Sequence, residues 1–462
     1  MALFICRNRS RIRVSAFHEE VDMFSQFPNG MVPPPTRSDV KESTSPSSEY
    51  SLRRFQGKTV SDVYHLNGEV IHLPRYPVYR RDAELANDFP YFYNRSEVYL
   101  NCQASRFTLV GGQTLTLIER GVLDPLRDLS SYWNGFYWEH FANQVGFVIQ
   151  YDDADGYRNF IDHHPDYRVI TPHPFDSKHI PSYRFYLEKP TLVARLNNKS
   201  RMHELSSYAI PSHNYTHGQF CQEIWRDEWT LPLVVKLTEP SGGGDGVVIC
   251  KDQASIDYAK HLFAGRNVKI EPYLQAIKNN YTVSLNVAPD GQITLVGGSV
   301  QKNSGVGKYR GSYIDLNWRP NLAIWDICTE ITSKAYALGW YGICGLDIIE
   351  TESGEFFFID PNFRLSGSTP FFLMRRYFET HFKSPILETG YFYFAGDPVE
   401  FLNQFHREIQ SKKLAPIGFY YAGRGECITR IYAALVIDGD LDEYAVLKKT
   451  LTDRRLMPGF KA

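Results

Sequence analysis

Residues 345–364 read GLDIIETESGEFFFIDPNFR, two apolar runs on either side of a polar TESGE segment. Branched and aromatic side chains flanking Ser353 and Gly354 predict a β-hairpin. A two-residue turn at Ser353–Gly354 sets Asp347 directly opposite Asp360. Cβ atoms so opposed are ~4.5 to 5.5 Å apart, close enough for two carboxylates to share a cation. Without one, the acids repel and one tends to keep its proton. Asn362, two residues past Asp360, lies on the same strand face and adds an oxygen ligand. Two anionic oxygens and one amide oxygen suit Mg²⁺, which keeps water and takes phosphate oxygens. Arg364 continues the alternation and would aim a guanidinium at a transferred phosphoryl group or a substrate carboxylate. The blander alternative is a charged hairpin end with solvated acids. The apolar, aromatic strand between these acids favours the metal site.

Upstream, LPLVVKL (Leu231–Leu237) and VVIC (Val247–Cys250) read as strands joined by EPSGGGDG. Gly242, Gly243 and Gly244 have no side-chain bulk, so backbone N–H groups there can approach an anion and the loop can close over phosphates. Lys236, in an apolar run on the preceding strand, places an ammonium at the mouth of the same hairpin. A helix follows from Asp252, with Ile256, Ala259, Leu262 and Phe263 on one side and Gly265 as its stop. Strands are expected at Val268–Ile270, Tyr281–Val287 and Gln292–Val296, with Pro289, Asp290 and Gly291 as a turn. A helix over Asn321–Leu338 leads into strands Ile343–Ile349 and Phe356–Ile359. Short connections make this sheet predominantly antiparallel.

Other signals carry less. SGVGKY (Ser304–Tyr309) fails as a P-loop because Lys302 stands where glycine is required and Tyr309 where Ser or Thr is required. The run Ile161–His179 holds His163, His164, His173 and His179, but its prolines mark a loop and the spacing fits no zinc pattern. Seven cysteines, an odd number without a CxxC pair, argue against a disulfide framework. Fifty basic and 52 acidic side chains leave a net charge of -2, which gives no bulk attraction to nucleic acid or anionic membrane. No apolar run approaches the ~18 to 20 residues of a membrane span, and Met1–Ser15 lacks a secretory core. A soluble, cytoplasmic protein is expected, with a homodimer left open.

At 462 residues the chain has room for about two to four lobes. The expected division is a Pro/Ser-rich flexible leader at 1–51 and an α/β lobe at 52–191, with strand- or helix-like runs such as Phe107–Val110 and Tyr132–Phe141. A catalytic region at 192–388 follows, split at 265/266 into a small part with the glycine loop and a large part with the metal residues. The extension at 389–462 packs on it.

Taken together, Leu192–Pro370 resembles the ATP-grasp superfamily in motif and order. NNKSRMHEL supplies Lys199, LVVKL supplies Lys236, CGLDII supplies Asp347, and IDPNFR supplies Asp360 and Asn362. The resemblance implies an α/β (α+β) ATP-grasp fold, two antiparallel-sheet subdomains clasping ATP behind a divergent pre-ATP-grasp lobe. It implies Lys199 and Lys236 on the phosphates, and Mg²⁺ or Mn²⁺ on Asp347, Asp360 and Asn362. It also implies that IEPYL is the adenine hinge, with Glu271, Tyr273 and Leu274. Two departures stand out: Asn279 and Asn280 occupy the region where the family usually has a ribose-binding glutamate, and the metal pair begins with Asp360 rather than Glu. APDGQITLVGGSVQKNSGVGKYRGSYI, FIDPNFRLSGST and GRGECITRIYAALVIDGDLDE are most similar to carboxylate-amine ligases of natural-product pathways, such as the peptide ligase of pheganomycin biosynthesis.

The resemblance thus implies an ATP-dependent ligase joining small-molecule carboxylate and amine substrates through an acyl phosphate, with Arg310 and Arg364 at the substrate carboxylate or oxyanion. A small-molecule kinase and a nucleotide-binding scaffold without turnover remain as alternatives.

Overall fold

The computed structural model describes residues 59–64, 70–72, 97–132, 138, 148–152, 154–171, 180–186, 189–239, 246–303, 309–382, 386–423, 425 and 427–459. The expected leader at 1–51 and the glycines Gly242, Gly243 and Gly244 lie outside them, as do His173, His179 and all of Tyr132–Phe141 except Tyr132 and Trp138.

The first lobe supplies β1 (Val70–His72), β2 (Leu115–Glu119), β3 (Val122–Leu123), β4 (Val148–Tyr151) and β5 (Arg168–Ile170). Four of these form a parallel sheet in the order β4-β2-β1-β5, with helices such as Glu97–Ser105 and Ala154–His163 between strands. Phe107–Val110 is buried as its composition suggests, yet it forms consecutive turns behind the helix rather than a strand. The imidazoles of His163 and His164 contact the carbonyl oxygens of Asn159 and Phe160 one helical turn back.

A second, antiparallel sheet contains β6 (His213–Tyr215), β7 (Leu233–Leu237), β8 (Val247–Cys250) and β9 (Val268–Pro272), in the order β6-β9-β7-β8. Leu233, Val235, Val268 and Ile270 pack under the helix Gln253–Leu262, against Ile256 and Ala259. Asp252 caps that helix through the Ser255 N–H, and Gly265 beyond it has φ +74, as its start and stop signals require. Because β-strand side chains alternate, Lys236, Lys269 and Glu271 occupy the other face.

The third sheet holds β10 (Ile277–Val287), β11 (Ile293–Asn303), β12 (Tyr309–Asp315), β13 (Gly342–Thr351), β14 (Phe356–Asn362), β15 (Ile386–Ala395), β16 (Leu414–Tyr420), β17 (Ile428–Ile437) and β18 (Leu456–Pro458). Its order is β14-β13-β10-β11-β12-β15-β17-β16-β3, with β18 on β15. Val283, Leu285, Leu346 and Ile348 bury one face against the helix Leu322–Ala337. Asp347, Thr282 and Ser284 therefore point the other way.

The sheets run across the expected divisions. β9 belongs to the small sheet, so the division falls after Pro272 rather than at 265/266. Val193, Leu196, Met202 and Leu205 join the core of the large sheet, which carries the Lys199 segment with that sheet rather than with the glycine-loop hairpin. The C-terminal extension shares a core with Val296, Tyr313 and Ile314 of the large sheet and also continues that sheet, because β15 pairs with β12 from Ser312 to Asp315. At that seam Gly311 has φ +133, and a Cβ there would lie 2.0 Å from the Thr389 carbonyl oxygen. Gly354, at φ +83, has open space around it. Gly311→Ala is expected to destabilise the chain by about 3 kcal/mol or more, against about 1 kcal/mol for Gly354→Ala. Denaturant unfolding of both variants checks the order.

Candidate nucleotide and metal site

The hairpin reaches the expected pairing by a different path. Thr351 N–H donates to the Glu355 carbonyl and Gly354 N–H to the Thr351 carbonyl, so the loop has three residues, Glu352 to Gly354. That sets Ile348 opposite Phe358. Ile359 then enters as an extra residue, a β-bulge, and the register shifts so that Asp347 pairs with Asp360 and Gly345 with Asn362. The longer turn and the bulge offset each other.

Each group at this hairpin end is fixed by a named contact. Lys199, 2% exposed, pairs with Asp360 through Nζ and Oδ1 at 2.7 Å. Its segment is held at both ends: Asn197 Oδ1 accepts from the Phe363 N–H at 2.7 Å, and Lys199 N–H donates to the Thr238 carbonyl at 2.7 Å. Lys236 reaches across from the small sheet and donates to the carbonyl of the bulged Ile359 at 3.2 Å. Thr282 donates to Asp347 Oδ1 at 2.8 Å and accepts from Gln301 at 2.8 Å.

Arg364 leaves the strand alternation. Its N–H turns back onto the Asn362 carbonyl, and its Nη2 donates to Asn362 Oδ1 at 2.6 Å. The guanidinium thus orients the amide expected to ligate metal, and its charge also acts on Asp347. Arg310 is exposed, and its Nη1 lies 3.7 Å from a Cβ position on Gly459.

The segment Pro272–Ala276 links β9 of the small sheet to β10 of the large one, which makes Glu271, Tyr273 and Leu274 the end of one sheet and the start of the connection. Tyr273 N–H donates to the Pro232 carbonyl at 3.4 Å. The Glu271 side chain turns into the protein. It is 1% exposed and bridges Lys236 at 2.6 Å and Lys269 at 2.7 Å. Lys269 is a member of this buried ion cluster that motif reading misses. The available signal is Lys269-x-Glu271, two charges on one strand face beside Lys236. Asn279 and Asn280, at the position of the expected ribose glutamate, face opposite sides of the sheet. With Lys278 and Tyr281, Asn279 donates to Glu350, on the sheet face away from Asp347, whereas Asn280 donates to Gln301 on the Asp347 side.

The donor set fits a hard divalent cation. Burial first, then the Asp360 charge, pushes the Asp347 carboxyl up to about 7, against hydrogen bonds from Thr282 and Gln301 and the charge of Arg364. Two opposed acids in this state lack positive charge between them. Among the described residues no group of three or more His, Cys, Asp and Glu gathers, so Asp347, Asp360 and the Asn362 amide would leave further positions to water and phosphate oxygens, as Mg²⁺ prefers.

Residues 212–362 match the ATP-grasp family model described as "L-aspartate--L-methionine ligase, ATP grasp". The matched segment runs from β6 to β14, and its two antiparallel sheets carry Lys236 and Lys269 on one and Asp347 and Asp360 on the other. Among solved structures, the chain is similar to L-amino acid ligase from Bacillus licheniformis, at 12% identity over 86% of this chain and 99% of that one, TM-score 0.47. It is also similar to N5-carboxyaminoimidazole ribonucleotide synthetase from Thermus thermophilus, at 14% identity over 77% and 97%, TM-score 0.48. A third is the biotin carboxylase domain of 2-oxoglutarate carboxylase from Hydrogenobacter thermophilus, at 13% identity over 85% and 91%, TM-score 0.48. Among the described residues no helix is long and apolar enough to cross a membrane.

The raised Asp347 carboxyl has a stability consequence. Between about pH 4 and its folded value of about 7, the native chain keeps a proton that the unfolded chain has released, so this group costs stability as pH rises through that window. Asp347→Asn is expected to raise the metal-free unfolding midpoint near about pH 8 and to remove the stabilisation given by Mg²⁺ with ATP. A lowered metal-free midpoint in a melting experiment would contradict this origin of the shift.

Proposed function

We propose that the chain is an ATP-dependent carboxylate-amine ligase that forms an amide through an acyl phosphate and releases ADP and phosphate. The observation that carries this reading is the meeting of Lys199, Lys236, Asp347 and Asp360 at one hairpin end, with cations and metal-ligating oxygens side by side. That combination suits phosphoryl transfer, where catalysis is chiefly positioning and neutralisation of charge on the equatorial oxygens.

Asp347, Asp360 and Asn362 would hold Mg²⁺, which supplies Lewis-acid neutralisation of the phosphate oxygens. Lys199 and Lys236 donate to phosphate oxygens as the γ-phosphoryl moves. A carboxylate oxygen of the acid substrate forms the new P–O bond while the bond to the bridging oxygen breaks, and ADP leaves. Arg364, buried beside Asn362 and carrying charge towards Asp347, keeps the metal-facing amide in register. The amine of the second substrate then forms the C–N bond, the acyl C–O bond breaks, phosphate leaves and the nitrogen loses its proton.

The matching family description makes L-aspartate and L-methionine the first acid and amine to test, and the likeness to natural-product peptide ligases extends the panel to other amino acids and short peptides. With an acid but no amine, added hydroxylamine is expected to trap a hydroxamate with stoichiometric ADP. ADP release with a phosphorylated hydroxyl product and no hydroxamate would favour a kinase instead. Lys199→Met is expected to lower kcat/KM by about 100-fold or more, measured as substrate-dependent ADP release. A variant with unchanged kcat/KM would remove Lys199 from the phosphate site.

A further inference from the structure

Lys236 and Lys269 are directly opposed on β7 and β9. Like charges at facing positions of neighbouring strands repel, and these two are buried, at 6% and 2% exposure. Glu271, two residues along from Lys269 on the same face, gives Oε2 to Lys236 and Oε1 to Lys269. Two ammonium groups and one carboxylate leave the buried cluster with one net positive charge. A buried ion cluster is weak evidence of a stabilising device, because apolar side chains of similar volume usually do as well.

The two lysines are not equivalent. Lys236 points across the cleft to the Ile359 carbonyl, one residue from Asp360. Lys269 points inward, its Nζ 3.5 Å from the Met202 sulfur, on the short helix that follows Lys199. We propose that Lys269 is a positioning residue of the nucleotide site: by taking half of the Glu271 carboxylate, it keeps the cluster cationic and leaves Lys236 with an N–H to direct at the phosphates. Without Lys269, both carboxylate oxygens fall to Lys236 and the cluster becomes neutral. Burial raises the Glu271 carboxyl, yet Lys236 and Lys269 outweigh it and hold it below the ordinary range, so the carboxylate stays charged while it is shared.

The inference rests on the nucleotide-binding part of the proposed function and is tested without any acid or amine. Calorimetric titration of the full chain with ATP in excess Mg²⁺, and separately with AMP, compares wild type, Lys269→Met and the double variant Lys269→Met/Glu271→Gln. Lys269→Met is expected to weaken ATP binding by about tenfold, and AMP binding by less than about threefold, since the lost charge acts on the phosphate chain. The double variant removes the carboxylate as well, restores one net positive charge and is expected to recover most of the ATP affinity. A packing role for Lys269 predicts no recovery, so a double variant as weak as Lys269→Met overturns the proposal, as does a Lys269→Met that binds ATP like wild type. If Lys269→Met does not fold, Lys269→Arg decides: retention of ATP affinity within about threefold supports the charge role, and a loss of tenfold or more overturns it. Wild type that binds no nucleotide at all would fell the ligase reading together with this one.

Discussion

Asp347 and Asp360 face each other across the last pairs of the β13–β14 hairpin, and most of what surrounds them is arranged around that repulsion. Two carboxylates about 5 Å apart at an effective dielectric of about 20 repel by roughly 3 kcal/mol when both are charged. The protein answers from one side only, through Lys199 on Asp360. Asp347 receives neutral donors from Thr282 and a guanidinium held at one remove on Asn362. A divalent cation between the acids would resolve the remainder, and would make metal binding and the local stability of the hairpin two aspects of one constraint.

The rest of the architecture brings positive charge to that point from separate parts of the chain. The small sheet contributes Lys236 through its contact with the Ile359 bulge, and the segment at Lys199 is tied to β14 through Asn197 and to the small sheet through Thr238. On the large sheet the opposed positions Asp360, Asp347, Thr282 and Ser299 form one polar row across four strands, and Gln301, Ser312 and Thr389 form the next. Because β15 is hydrogen-bonded to β12, the C-terminal strands extend this surface beyond residues 212–362.

Local signals were the legible ones. Asp252 and Gly265 bound their helix, Asn321 caps the next, and alternation gave the strands that carry Lys236 and Asp347. The pairing of Asp347 with Asp360 was readable from spacing, although the turn is one residue longer than Ser353–Gly354 suggests. A bulge that offsets a turn leaves no mark in composition. Long-range partners were not readable: nothing in Ile386–Ala395 says that it seats on Tyr309–Asp315, and nothing in Val193–Leu205 says which sheet it packs under. Lys269 escaped because a lysine between Val268 and Ile270 looks like a solvated strand position until Lys236 and Glu271 are seen on either side of it. Phe107–Val110 reads as a strand- or helix-like run by hydrophobicity alone, and burial in consecutive turns meets the same apolar demand.

The central claim is that the paired aspartates hold a divalent ion beneath the nucleotide's phosphates. Electron paramagnetic resonance of Mn²⁺ titrated into the chain with ATP tests it most directly, using wild type beside Asp347→Asn and Asp360→Asn. Bound Mn²⁺ is expected in the wild type, with affinity lower by about tenfold or more in each variant. Equal Mn²⁺ binding in all three proteins would contradict it.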